Sequence, residues 1–208
     1  MQNFEEFMRQ GGAAALSEAG QFFMKTDPVH QTLRAITERL DSLKIPYAVA
    51  GGMALVAHGY DRTTVDVDIL LTPSGLAAVH EHLDGLGYVA PFQGSKNLRD
   101  VETGVRIEFL VAGSYPGDGK PKPVAFPEPA SVGVKKDGIL YLGLGTLVEL
   151  KLASGMTAAH RLKDLADVLE LIKALGLSRE MSNDLNPFVR DKYLELWDAA
   201  QTAPQDQP

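Results

Sequence analysis

Two aspartates, Asp66 and Asp68, stand two apart in "DRTTVDVDILL", residues 61 to 71, a run that otherwise has the composition of a buried β-strand. Aspartate is depleted in strands, and a carboxylate beside a core must be solvated, paired or bound to a metal. Side chains at i and i+2 of a strand point the same way, so the two acids share one face and Val65, Val67 and Ile69 take the other. Two like charges so placed repel, and both stay ionised only with a cation or strong donors between them. Hard oxygen ligands suit Mg²⁺ or Mn²⁺, which take one or two carboxylates and complete their shell with water and phosphate oxygens.

A two-metal phosphoryl-transfer site usually needs a third carboxylate. In "VRIEFLV" the same parity puts Val105, Ile107 and Phe109 on one face and Arg106 and Glu108 on the other, which makes Glu108 the candidate. Asp100 and Glu102 compete for the role, but no apolar alternation around them decides which way they face. Gly51 and Gly52 fall where a strand ends and a helix begins, and their missing Cβ atoms let a phosphate approach backbone N–H groups. A nucleoside triphosphate would find both halves of a site here. A tight turn at the glycines and an exposed edge-strand face for the acids are the structural alternatives.

These residues need elements to hold them. Val29, Leu33, Ile36, Leu40 and Leu43 recur at helical spacing after Asp27-Pro28, a cap and first turn. "IPYAVAGG" then reads as a strand running into the glycines, "MALVAHGY" as a helix, the aspartate run as the next strand, and "PSGLAAVHEHLDGLG" as a helix. The alternation predicts an α/β domain. "YVA", "NLRDV" and "VRIEFLVAG" read as further strands, with "ETG" a turn. A proline- and glycine-rich stretch follows and reads as a loop, with "GILYLGLG" one more short strand. "TLVELKLASGM" and "HRLKDLADVLELIKALGL" read as helices, the second with Leu162, Leu165, Ala166, Leu169 and Ile172 on its apolar face. A final helix, "NPFVRDKYLELWDAAQ", packs into the core with Trp197 as anchor. The expected organisation is an N-terminal helical extension over 1–26, an α/β core over 27–113, a loop and short strand over 114–145, a helical C-terminal part over 146–200 and a disordered tail over 201–208.

The 208 residues suffice for one generous domain, and 45% hydrophobic content for a real core. The formal charge of −7 gives no global attraction to nucleic acid or anionic membrane. There is no cysteine, hence no disulfide and no thiolate ligand, which fits a reducing cytoplasmic location. Glu5 and Glu6 stand where an export signal would carry positive charge, and no stretch approaches the ~20 apolar residues that span a bilayer.

The segment "VAGGMALVAHGYDRTTVDVDI", with an apolar lead, Gly-Gly, thirteen residues and then Asp-apolar-Asp-apolar, resembles the signature of the polymerase-β-like nucleotidyltransferase superfamily. Arg62 and Thr64 ahead of the acids, with "LVELKLASGMTAAHRLKDLADVLEL" downstream, are similar to the abortive-infection (AbiEii-type) nucleotidyltransferases of toxin–antitoxin systems. The resemblance covers about residues 45–175. It implies a mixed sheet flanked by helices, with a helical C-terminal part. It implies that Asp66, Asp68 and Glu108 hold Mg²⁺, that a nucleoside triphosphate lies at Gly51, Gly52, Arg62, Thr64, Lys151, Arg161 and Asp164, and that Lys151 takes part in catalysis, with Lys163 nearby. It further implies transfer of a nucleoside monophosphate to an RNA or protein hydroxyl, tRNA among the acceptors, and an antitoxin as protein partner. Where many members have Gly-Ser this chain has Gly51-Gly52, so a hydroxyl that could bond phosphate is missing.

Other readings of the same residues stay open. Lys151 pairs with Glu149 or Glu170 on a solvated helix, Arg161 and Asp164 pair at i and i+3, Asp164 and Asp167 are surface acids, or Arg62 and Thr64 brace a loop. His58 reads as a helix-end residue, and His80, His82 and His160 do not form a metal constellation. Three functions follow: a metal-dependent nucleotidyltransferase, an inactive nucleotide-binding relative, or an antitoxin-like interaction partner.

Overall fold

The structure, a computed structural model, describes residues 25–60 and 62–202. The helical extension expected over 1–26 and the tail over 201–208 thus lie almost wholly outside the described residues. No described helix is long and apolar enough to cross a membrane.

The first described helix is α1, Pro28–Ser42, whose first backbone N–H groups, those of Val29 and His30, are capped by the Asp27 carboxylate. Val29, Leu33, Ile36 and Leu40 bury the predicted face, whereas Leu43 lies past the last turn and is exposed. Strand β1, Tyr47–Val49, runs into helix α2, Gly51–Ala57. Strand β2, Asp66–Leu71, is followed by helix α3, Pro73–Leu83. Strands β3, Tyr88–Val89, β4, Leu98–Asp100, and β5, Arg106–Val111, complete one wing of the sheet. The other wing is the hairpin of β6, Gly133–Lys136, and β7, Ile139–Leu142. Helices α4, Leu144–Thr157, α5, Leu162–Leu175, and α6, Pro187–Thr202, form the helical C-terminal part.

The seven strands lie in the order β3-β4-β5-β2-β1-β7-β6. Pairing is parallel between β2 and β5 and between β1 and β7, and antiparallel elsewhere. The fold class expected from the sequence, a mixed sheet flanked by helices with a helical C-terminal part, is the one observed. Strand β6 was not foreseen. Its signal is Asp137-Gly138, both at positive φ, the conformation of a tight hairpin turn.

Two expectations about packing are corrected. Val65 does not anchor the strand in the core and is 82% exposed, because the last rung with β5 is Asp66↔Arg106 and nothing covers the residue before it. On α5 the buried side chains are Asp164, Asp167, Val168, Leu171 and Ile172, while Leu162 is exposed and Leu165 and Leu169 are half-buried. The helix is turned by a polar network that it shares with α4.

Three features hold the remainder in place. The proline-rich stretch is tied into a loop by the Gly113 N–H donating to Phe126 O and the Phe126 N–H to Ser114 O, both at 2.8 Å. Tyr193 donates to Ser178 O and the Trp197 indole to Leu177 O, each at 2.9 Å, fixing α6 to the turn after α5. Asp100 is buried and accepts from Thr32 Oγ1 and from the Glu102 and Thr103 N–H groups, so it caps the turn into β5, while Glu102 is exposed on that turn. Asp100→Ala is therefore expected to lower unfolding free energy in urea by about 1–3 kcal/mol. Divalent-cation binding by the folded variant should match the parent chain.

Candidate active site

Asp68 and Glu108 occupy one rung of the parallel β2–β5 ladder, and Asp66 stands opposite Arg106 on the rung at its end. On the other parity Val67, Ile69, Ile107 and Phe109 are completely buried. The strands are held by their apolar side, and the acids look into a cleft. Each outer acid has a local partner: Thr64 Oγ1 donates to Asp66 Oδ1 at 2.9 Å, and Arg106 Nη2 pairs with Glu108 Oε1 at 2.7 Å. Asp68 lies between them. Burial first, then the charges of Asp66 and Glu108, push its carboxyl up to about 7, with Lys151 and Arg161 pulling the other way.

The two glycines are required by this packing. Gly51 has φ +56°, and a Cβ there would lie 1.7 Å from Asp68 Oδ2. A Cβ on Gly52 would lie 2.6 Å from Thr64 Oγ1 and 2.7 Å from its Cβ. A serine at 52 would collide with the residue that orients Asp66. The Ala50 N–H, donating to Asp68 O at 2.8 Å, locks the strand-to-helix corner against β2.

The opposite wall comes from α4 and α5. Lys151 is 8% exposed and donates to Asp164 Oδ1 at 3.0 Å and Asp167 Oδ2 at 2.7 Å. Ser154, one turn on, donates to Asp164 Oδ2 at 2.7 Å, and Arg161 Nε reaches the same oxygen at 2.8 Å. Asp167 also takes Arg62 Nη1 at 2.6 Å, which ties the approach to β2 onto α5. Burial alone would raise the Asp164 carboxyl, but Lys151, the Ser154 hydroxyl and Arg161 outweigh it and hold it below the usual carboxylate range. Lys151 is thus neither solvated nor paired with Glu149 or Glu170, and Asp164 and Asp167 are not surface acids. Arg161 and Asp164 do pair.

The cleft has two connected chambers that share Gly51, Asp68, Glu108, Lys151, His160, Arg161 and Asp164. One, of about 450 Å³, is charged and also takes in Gly52, Arg62, Thr64, Asp66, Lys163 and Asp167. The other, of about 280 Å³, is mixed, adding Leu110, Tyr115, Phe126 and Leu147 as well as Lys96 and Ser154 to the shared charged residues. Every candidate site residue named from the sequence lines one or both, and Arg62 and Thr64 face it as partners of Asp167 and Asp66. Ser154 and Asp167 were missed. Their signal is the i, i+3 step from Lys151 and from Asp164, which sets each pair on one helix face. His58 closes α2 and bonds Leu142 O, with its imidazole pKa lowered by burial.

Among the described residues no three His, Asp or Glu side chains are gathered closely enough to hold a metal ion as they stand. The donor chemistry nevertheless fits a hard divalent cation: three carboxylates face one cleft, and burial, then the charges of its two neighbours, raises the central one. Joining them requires Glu108 to exchange Arg106 for the cation.

No family model matches the sequence, and no curated protein does. Among solved structures, a candidate nucleotidyltransferase from Thermotoga maritima is 18% identical, with 67% of this chain and 91% of that one covered at a TM-score of 0.46. ANT(2″)-Ia, solved in complex with adenylyl-2″-tobramycin, is 11% identical, with 83% and 96% covered at 0.49. An antigenic nucleotidyltransferase-like protein from Paracoccidioides brasiliensis is 16% identical, with 82% and 91% covered at 0.46. These are partial likenesses at low identity.

Two outcomes are expected. Lys151→Ala leaves Asp164 and Asp167 buried without their ammonium and should cost about 3–5 kcal/mol in urea unfolding. Arg161→Ala, at a half-exposed side chain, should cost under about 1 kcal/mol. The second outcome concerns Asp68, whose folded pKa of about 7 exceeds the ordinary 3.8. Between these values the folded chain holds a proton that the unfolded chain has released. Metal-free stability is therefore lost as pH rises towards 7, by at most about 1.4 kcal/mol per pH unit. Asp68→Asn should abolish that loss, so in EDTA the variant gains Tm over the parent at pH 8 and not at pH 4.

Proposed function

We propose that this protein is a metal-dependent nucleotidyltransferase that moves a nucleoside monophosphate from a nucleoside triphosphate to a hydroxyl of an RNA or protein acceptor. The observation that carries the reading is the rung of Asp68 and Glu108, two residues from Asp66, facing the buried Lys151 network across a cleft. A binding module gains nothing from burying a carboxylate between two others, which pushes it up to about 7. A site that handles a cation and a polyphosphate does.

In this reading Asp66, Asp68 and Glu108 would hold Mg²⁺, with Mn²⁺ as substitute. The cation supplies charge neutralisation at the phosphates and a lowered pKa for the acceptor hydroxyl. The acceptor hydroxyl loses its proton to solvent, its oxygen forms a bond to the α-phosphorus, the bond from that phosphorus to the bridging oxygen breaks, and pyrophosphate leaves with the electron pair. Arg161 uses its Nε on Ser154 and Asp164, and its half-exposed head, like Lys163 in the same chamber, is a cation that this chain can offer to phosphate. Lys151 is already matched by two aspartates, so its part is to set the position of α5 and lend a fixed positive field. Thr64 orients Asp66, and Arg62, through Asp167, fixes the segment that carries Thr64. A toxin role with an antitoxin partner and tRNA as acceptor are supported by the sequence resemblance in the downstream Lys, Arg and Lys-Asp motif.

The test is incubation with each labelled nucleoside triphosphate, Mg²⁺ and cell RNA or protein. The parent chain should transfer label and release pyrophosphate, and Asp66→Ala/Asp68→Ala should lose both by about 10²–10³-fold or more. Absence of both transfer and nucleotide binding refutes the proposal. Binding without pyrophosphate release establishes instead a nucleotide-binding relative that performs no transfer, a reading that the Arg106 grip on Glu108 favours.

A further inference from the structure

A separate cavity, of about 210 Å³, shares no residue with the acidic cleft. Three elements build it, each presenting one side of its own period. Leu33 comes from α1, Met53, Val56 and Ala57 stand at i, i+3 and i+4 on α2, and Ile139 and Tyr141 at i and i+2 on β7. These side chains make an apolar floor.

The polar groups around that floor are mostly cationic. Arg34 Nη1 donates to Lys25 O at 3.2 Å, and Lys136 Nζ to Ala57 O, at the C-terminal end of α2, at 2.5 Å. Neither has a carboxylate partner among the described residues. The one acid on the lining, Asp137, stands 3.5 Å from Lys25, and His30 is committed to Asp27. Tyr141 adds a donor. Its side chain is only 8% exposed, and its hydroxyl bonds no described residue. No buried side-chain polar atom among the described residues is sealed without a partner, so this hydroxyl opens onto the cavity that the ring lines. Burial, then the Asp137 charge, push its pKa up to about 12, which keeps the proton in place for donation.

We propose that this cavity binds a small carboxylate whose apolar body is no larger than one ring, with the body on the floor and the carboxylate among Arg34, Lys136 and the Tyr141 hydroxyl. An apolar cavity of about 150 Å³ holds benzene. About 210 Å³ therefore admits one ring with its carboxylate, and it lies below the ~300–1,000 Å³ of pockets for larger ligands, which excludes a nucleoside triphosphate. An inorganic anion gains nothing from Leu33, Met53 and Val56, and a neutral ring leaves two cations and a hydroxyl unmatched. The chain as a whole carries −7, so cations without acids at one apolar hollow do not reflect a surplus of positive charge. The bound molecule packs on α2, the helix that begins at Gly51. The inference is independent of the nucleotidyltransferase reading.

The test titrates benzoate and hexanoate into the full chain by ligand-detected NMR, beside benzyl alcohol, which keeps the ring and lacks the charge, and acetate, which keeps the charge and lacks the body. At least one of the two acids should bind at least about tenfold more tightly than either control. Arg34→Gln, at an exposed side chain, and Tyr141→Phe should each weaken that acid by about tenfold and leave benzyl alcohol binding and the Tm without ligand near the parent's. Val56→Phe, which fills the floor, should abolish binding of both the acid and benzyl alcohol. The proposal is overturned if neither acid exceeds both controls. It is equally overturned if Arg34→Gln binds the acid as the parent does, since the acid then sits elsewhere, such as beside Arg161 and Lys163 in the cleft.

Discussion

The parallel pairing of β2 with β5 is the constraint on which the cleft depends. Their register sets Asp68 against Glu108 and, on the opposite parity, seats Val67, Ile69, Ile107 and Phe109 in the core. A slip of one residue would turn the acids into the core and the valine and isoleucine into the cleft. The apolar side thus enforces the acidic side. The same packing buries Asp68 between the other two acids, and burial first, then their repulsion, raises its carboxyl. The strained electrostatics and the rigid ladder are two consequences of one register.

The C-terminal helices answer that excess of negative charge indirectly. Lys151 and Arg161 both act on Asp68, yet each is bonded to Asp164, and Lys151 to Asp167 as well. A buried ion network of this kind is seldom a source of net stability, since desolvation offsets most of the attraction. It does specify orientation. Asp164 and Asp167 face inward in place of Leu162, and Asp167 reaches across to Arg62 in the segment before β2. The network therefore couples the wall that bears cations to the strand that bears acids.

Much of the fold was legible in the sequence because period-two and period-3.6 patterns report a backbone's apolar side directly. That Glu108 shares the face of Asp68 follows from parity alone, and α1 from its spacing and cap. The misreadings have equally local causes. Val65 continues the alternation but lies one rung beyond the ladder, and a pattern within one strand does not show where its partner begins. On α5 the leucines suggested the wrong face, because the energy of a buried lysine with two aspartates depends on a helix elsewhere in the chain. Ser154 and Asp167 were overlooked for the same reason.

By itself the sequence determined which carboxylates share a face and that two glycines fall at a strand-to-helix corner, by rules that act over a few residues. The Lys, Arg and Asp set on the later helices was picked out only by the family resemblance. Tertiary structure alone decided that the Gly51 and Gly52 positions must lack Cβ atoms because Asp68 and Thr64 fill that space, and that Arg62 and Lys151 meet at Asp167. It also decided that the proline-rich loop stands as an aromatic wall beside the acids. Those are close approaches between segments far apart in sequence, and van der Waals contact and desolvation act only once the chain has brought them together.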